Sequence, residues 1–189
     1  TVTMLPTPRL PVSSFIRQTW ELILSRPENS ANWEGGVILQ IRPFSPQDLP
    51  EILALFYETV HTVCQNDYSP QQLDAWAPKL PDVVRWRHIL SSHYTLIAEE
   101  NGQILAFADL QEPDYLDHLY VHKNAQHRGI AQMLVQLLEE KARSMGAHKI
   151  SVHASKTAKG FFLHRGYQVV REQFPVCQGI TLVNYLMVR

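Results

Sequence analysis

The sequence predicts a mixed α/β or α+β domain. Three observations carry that prediction. Residues 119–146 run from a short apolar strand through a basic, glycine-bearing turn into a long amphipathic helix. Tyr94 to Leu110 reads as two strands folded about an Asn101-Gly102 turn, the strongest short hairpin signal. Helical stretches precede the hairpin, and a strand, a helix and two strands follow the long helix.

The elements follow in order. Residues 1–36 read as an N-terminal extension. Pro6, Pro8 and Pro11 give an irregular start, and Ser13 or Ser14 caps a helix whose Ile16, Trp20, Ile23 and Leu24 share a face. Pro27 stops that helix, and Asn29 to Gly36 reads as a linker. The folded domain is expected over 37–189, starting with a strand at Val37 to Ile41. Asp48 caps a helix with Leu49, Ile52, Leu53, Phe56, Val60 and Cys64 on one face. Ser69-Pro70 opens a short helix to Trp76, and Asp82 to Leu90 is a third helical stretch. The hairpin comes next, then a strand at Tyr115 to Val121 and a helix over 130–145. A strand at 149–154, a helix at 157–165 and strands at 167–173 and 180–188 complete the chain.

Composition excludes several classes. At 189 residues the chain fits one domain with a terminal appendage. Its 45% hydrophobic and 19% charged content is that of a globular protein rather than a disordered one. A net charge of −1 gives no global field to recruit nucleic acid or an anionic membrane, so neither partner is expected. No apolar run approaches the ~20 residues that span a bilayer, and no secretory core is present. Cys64 and Cys177 lie far apart without a CxxC, which fits two separate thiols in a reducing cytoplasm. The nine histidines form no HExxH and no Cys/His cluster, so no metal is expected. P-loop and dinucleotide fingerprints are absent from the sequence.

The turn before the long helix carries the chemistry. In Gln126-His127-Arg128-Gly129-Ile130-Ala131 a small residue stands wherever a bulky ligand group would approach the backbone. Ile130, Met133, Leu134, Leu137, Leu138, Ala142 and Met145 put one apolar face on the helix that follows. Its first N–H groups have no intrahelical partner, and its dipole favours an anion there. The segment reads as a pyrophosphate cradle joined to a strand.

Gln126-x-x-Gly129-x-Ala131 resembles the acetyl-CoA motif of the GNAT N-acetyltransferases, Gln/Arg-x-x-Gly-x-Gly/Ala. Ala158 to Tyr167 resembles the same family's Ala-x-x-Phe-Tyr-x-x-x-Gly-Phe segment. Three further strings, Tyr68 to Pro78, Thr157 to Phe162 and Asn184 to Met187, look like the YafP-type branch of bacterial GNATs. The resemblance spans about residues 37 to 189. It implies a GNAT fold, with a mixed, mostly antiparallel central sheet flanked by helices. It also implies acetyl-CoA as co-substrate. Its diphosphate would sit on the backbone of Gln126, His127, Arg128, Gly129, Ile130 and Ala131. Its pantetheine would lie along Leu119, Tyr120 and Val121, with the Val121 N–H on the thioester carbonyl. Phe162 stands where the family often has a tyrosine that protonates the departing thiolate. Phe162 can only pack against cofactor or core, and Tyr120, Tyr167 and Tyr185 are left as alternatives.

The resemblance places a general base at Asp117, the ordinary pKa of an imidazole offers His118, and a water relay from a substrate-side group is left as the alternative; as strand neighbours Asp117 and His118 are expected on opposite faces, so that only one meets the cleft. It places the acceptor beside segment 57–76, where Tyr57, His61, Tyr68 and Trp76 would wall a partly aromatic pocket. The expected reaction is acetyl transfer to a primary amine or related nitrogen nucleophile of a small molecule by direct attack in a ternary complex. The alternatives are a non-catalytic acyl-CoA-binding module and a protein-modifying acetyltransferase. A homodimer is left open.

Overall fold

The computed structural model describes residues 30–33 and 37–189. The helix expected around Ile16 to Leu24 lies outside them. Five helices and ten strands are described. The helices are α1 (Leu49–Val63), α2 (Pro70–Trp76), α3 (Val83–Ser92), α4 (Ile130–Ser144) and α5 (Lys156–His164). The strands are β1 (Ser30–Trp33), β2 (Val37–Pro43), β3 (Tyr94–Glu100), β4 (Gln103–Gln111), β5 (Tyr115–Val121), β6 (Ser151–Ser155), β7 (Gln168–Gln173), β8 (Val176–Cys177), β9 (Ile180–Thr181) and β10 (Asn184–Val188). Eight strands form one sheet in the order β1-β2-β3-β4-β5-β6-β10-β7, and β8 and β9 form a separate hairpin. Every pairing in the large sheet is antiparallel except β5 with β6.

Local chemistry sets the boundaries. Asn101 and Gly102 both adopt positive φ (52° and 78°), as a tight β3–β4 turn requires. Ser69 caps α2 through the Gln72 N–H, Asp82 caps α3 through the Arg85 N–H, and Ser155 caps α5 through the Ala158 N–H. Period-two alternation splits the central strands between two cores. Ile97 and Phe107 face α1 to α3, with Ile52, Phe56, Val60 and Leu73. Leu96, Ala98, Ala106 and Ala108 face α4 and α5, with Ile130, Leu134, Leu138 and Phe162.

Two expectations change. Ser30–Trp33, inside the segment read as a linker, pairs antiparallel with Val37–Gln40 as a strand. The single strand expected at 180–188 is broken: Ile180–Thr181 folds back on Val176–Cys177, and only Asn184–Val188 joins the large sheet. The turn between β8 and β9 is Gln178-Gly179, both at positive φ (48° and 78°), a Gly-bearing turn without the Asn that would have announced it. Among the described residues no helix is long and apolar enough to cross a membrane.

Candidate functional site

The site begins where two parallel strands part. β5 and β6 pair only at Tyr115↔Ser151 and Leu116↔Val152. Beyond Leu116 the strands separate, and a cavity of about 850 Å³ occupies the opening. Leu119, Tyr120 and Val121 form one wall, and Val152, Ala154 and Ser155 the other. The His122 N–H donates to Leu105 O on β4 at 2.7 Å. Strand N–H groups alternate in direction, so the Val121 N–H points away from β4, towards the opening.

One end of the cavity is the turn into α4. Gln126, His127, Gly129, Ile130 and Ala131 line it. His127 and Gly129 both take left-handed φ (62° and 77°), a local cost of about 1–3 kcal/mol at the histidine. Successive turns of this kind aim backbone N–H groups into one concavity suited to an anion. A Cβ on Gly129 would meet no atom within 4 Å, so the space before it is open. The Gln126 side chain donates to Val121 O at 2.5 Å and ties the turn to the strand end. The Arg128 side chain turns elsewhere. Its guanidinium pairs with Glu100 (2.5 Å), and it does not line the cavity.

Phe162 is 2% exposed, lines the cavity and packs edge-on against Phe161 and Tyr167 at 5.1 Å. Of the three tyrosines left as alternatives to it, only Tyr120 lines the cavity. The Tyr167 hydroxyl donates to Glu139 (3.1 Å), and Tyr185 lies under Lys159 on β10. Burial raises the Tyr120 hydroxyl well above its ordinary range, so it keeps its proton. Its ring stands 6.5 Å from that of Trp76, which lines the same cavity. Cys64 also lines the cavity, but burial raises its thiol above the usual range and disfavours the thiolate.

At the other end stand Asp117 and His118, both lining the cavity. The expectation that only one would face it is overturned by a β-bulge. The β4–β5 register runs Asp109↔His118 and then Leu110↔Leu116, so Asp117 is an extra, unpaired residue. The extra residue breaks the strand alternation and brings two consecutive side chains together, with His118 Nδ1 3.4 Å from Asp117 Oδ2. It also frees the His118 N–H, which donates to Asp109 Oδ1 at 3.0 Å.

Asp109 organises this end. It is 0% exposed and accepts the Nδ1–H of His118 at Oδ1 (2.8 Å) and of His93 at Oδ2 (2.5 Å). Burial disfavours its charge, but His118 and both hydrogen bonds prevail and hold the carboxyl down at about 2. Burial likewise disfavours a charged His118, but Asp109 and then Asp117 prevail and raise it to about 9. The imidazolium sits under Trp86, ring centroids 4.8 Å apart. A histidine that carries its proton at neutral pH has no lone pair for base catalysis, which weighs against that expectation for His118. Ligand atoms of His93, Asp109 and Asp117 lie within 4.8 Å of one another. Both Nδ1 atoms are committed to Asp109 as donors, so the cluster reads as a hydrogen-bonded charge network rather than a metal centre. His93 and Asp109 carried no sequence signal: they lie 16 residues apart on different elements and meet only through the fold.

The four expected acceptor residues divide. Trp76 lines the main cavity, and Trp76 and Tyr68 line a smaller one beside it. Tyr57 and His61 line neither. They stack on each other at 4.2 Å, and His61 Nε2 meets Ala77 O at 3.0 Å. One face of α1 packs on the sheet, and these two residues fall off its edge.

Comparison with known proteins agrees with the geometry. Residues 64–189 match the acetyltransferase (GNAT) domain family. The chain is 35% identical over 149 residues to an uncharacterised N-acetyltransferase, YafP, of Escherichia coli, covering 79% of this chain and 94% of that protein. A GCN5-related N-acetyltransferase from Rhodopseudomonas palustris superposes with a TM-score of 0.78 at 34% identity, covering 80% of this chain and 94% of the other. An N-acetyltransferase, PaiA, from Thermoplasma acidophilum, solved in complex with coenzyme A, shares the fold at a TM-score of 0.62 and 15% identity, covering 80% and 98%.

Proposed function

The chain belongs to the GNAT family of N-acetyltransferases and is an acyltransferase; on that premise we propose that it transfers the acetyl group of acetyl-CoA to a primary amine of a small molecule. The observation that carries this reading is one continuous cavity. It runs from the left-handed turn at Gly129, along the open edge of β5, to Asp117. The N–H groups from His127 to Ala131 hold the diphosphate. The pantetheine lies between β5 and β6. The Val121 N–H polarises the thioester carbonyl and stabilises the oxyanion, a contribution of ~3 kcal/mol for such a donor.

Asp117 takes a proton from the ammonium, and the free amine attacks the thioester carbonyl. The tetrahedral intermediate collapses, the C–S bond breaks, and the CoA thiolate takes a proton from Tyr120, which is restored by the second proton that the amine nitrogen sheds as it becomes the amide; Asp117 returns its own proton to solvent. His118 stays charged and fixes Asp117 beside it. Burial keeps the Cys64 thiol protonated, which favours direct attack in a ternary complex over an acyl-enzyme. The adjoining cavity, about 230 Å³, favours a small acceptor over a protein chain.

The test is a panel of primary amines and intact proteins incubated with acetyl-CoA, read by CoA release and product mass. Acetylated small amines are expected. Acetyl-CoA binding without turnover of any member, or turnover with proteins alone, would contradict the reading.

A further inference from the structure

The parallel pairing of β5 and β6 ends at Leu116↔Val152, and the next level sets Asp117 beside His153. The gap between the strands is one strand spacing, ~5 Å, at the last pair and widens beyond it. Val152 and Ala154 turn into the core with α4 and α5, so His153 between them turns to the opposite side of the sheet. There Tyr115, Asp117 and His153 line the smaller cavity together, and Asp117 and His153 line the main one as well.

The Tyr115 hydroxyl lies 3.2 Å from His153 Nδ1, and the two rings meet edge-on at 5.3 Å. Burial raises the Tyr115 hydroxyl well above its ordinary range, and the Asp117 carboxylate raises it further. The hydroxyl therefore keeps its proton and has one to donate to Nδ1. His153 reaches solvent. Desolvation by the cavity walls lowers its pKa from 6.5; Asp117 opposes that, and Arg171 on β7 adds to it. β10, between β6 and β7, sets only Leu186 beside it. At neutral pH the ring is uncharged and has a lone pair to offer. His118, charged and bound through Nδ1 to Asp109, has none. His127 and His164 line the main cavity and not the smaller one.

Asp117 gains a proton in each turnover and has to shed it while cofactor and acceptor fill both cavities. On one side stands the His118 imidazolium, which cannot take that proton. On the other stand Tyr115 and His153. We propose that His153 carries the acceptor's proton from Asp117 to solvent by way of the Tyr115 hydroxyl. The O–H bond on Asp117 breaks as one forms on the Tyr115 oxygen, whose own proton moves to His153 Nδ1. The imidazolium so formed releases a proton to solvent and returns to the neutral ring. This rests on the acetyl-transfer reading and adds the group that resets Asp117.

The test measures CoA release with an amine that the natural chain acetylates, for the full chain, His153→Gln and Tyr115→Phe. Each is assayed in dilute buffer and with increasing 1-methylimidazole, a base with no N–H to acetylate, and acetyl-CoA affinity is measured alongside. In dilute buffer both variants should turn over at least ~10-fold more slowly than the natural chain at unchanged acetyl-CoA affinity. Added 1-methylimidazole should bring them to within about threefold of the natural chain, whose own rate should change by less than about twofold. A merely structural role for either side chain would not respond to the added base. Natural turnover in either variant, or a loss that 1-methylimidazole does not relieve, overturns the proposal and leaves acetyl transfer standing. Absence of turnover by the natural chain with every amine would instead bring down the reading beneath it.

Discussion

Asp109 Oδ1 and His118 Nδ1 lie 2.8 Å apart, a carboxylate with no exposure facing an imidazole across β4 and β5. The pair links stability to pH through both partners. His118 is raised from 6.5 to about 9, so its contribution is complete below pH 6.5 and is lost as pH rises through about 9. Asp109 is lowered from 3.8 to about 2, so its contribution is present above pH 3.8 and is lost as pH falls through about 2.

The first prediction follows from those signs. Unfolding free energy, measured by denaturant titration, should decline between pH 6.5 and 9 in the natural chain. Asp109→Asn should flatten that decline and lower stability near neutrality. It should also add an ionisation to the pH–rate profile near pH 6–7, where a released histidine titrates. An unaltered pH slope in the variant would show that Asp109 does not set the charge of His118.

Gly129 gives the second prediction. At φ 77°, with open space before it, the residue admits a diphosphate close to the backbone. Gly129→Glu adds a negative side chain there and about 1 kcal/mol of backbone strain. Acetyl-CoA binding by calorimetry should vanish while the circular dichroism of the fold is kept. Undiminished affinity in the folded variant would remove the turn from the site.

The third prediction separates Phe162 from Tyr120. Phe162 is enclosed by Phe161 and Tyr167, so Phe162→Ala should cost ~3–5 kcal/mol of stability. Phe162→Tyr should change turnover by less than ~10-fold, whereas Tyr120→Phe should lower it by ~10²-fold at unchanged acetyl-CoA affinity. A large rate gain in Phe162→Tyr would mean that thiolate protonation limits the natural enzyme and that Tyr120 does not supply it.

Glu139 gives the fourth. It is 1% exposed on α4 and accepts hydrogen bonds from Arg165 (3.0 Å), Arg189 (2.8 Å) and the Tyr167 hydroxyl (3.1 Å), which joins the last turn of α5 and the end of β10 to the core. Glu139→Leu leaves a buried hydroxyl and the guanidinium groups without their acceptor. It should cost about 3 kcal/mol by denaturant unfolding, and Glu139→Gln clearly less. Equal losses would mean that packing, not the charge, matters at this position.

Local chemistry was legible in the sequence, and long-range register was not. The turn before α4 was readable because Gln126 to Ala131 carry its glycine and helix start in their own sequence, and Asn101-Gly102 fixed a turn by itself. The β5 boundaries, Tyr115–Val121, followed from a short stretch of aromatic and branched residues ending at the basic turn. The placement of Asp117 beside His118 was not readable, because a bulge depends on how β5 registers against β4. Asp109 and His93 gave no signal, since their meaning arises only where β4 and the end of α3 meet. Tyr57 and His61 were misplaced because a helix period sets which residues share a face and not where the edge of that face falls. The break of 180–188 into β9 and β10 came from the Gln178-Gly179 turn, which lacks the Asn that marks such hairpins.

The central claim is that Asp117 acts on the acceptor at the end of an acetyl-CoA cavity. Its most direct test is steady-state CoA release with an accepted amine, for the natural chain and Asp117→Asn, with acetyl-CoA affinity measured on both proteins. Turnover should fall by ~10²-fold or more in Asp117→Asn while affinity changes by less than about twofold. Equal turnover in the two proteins would contradict the account.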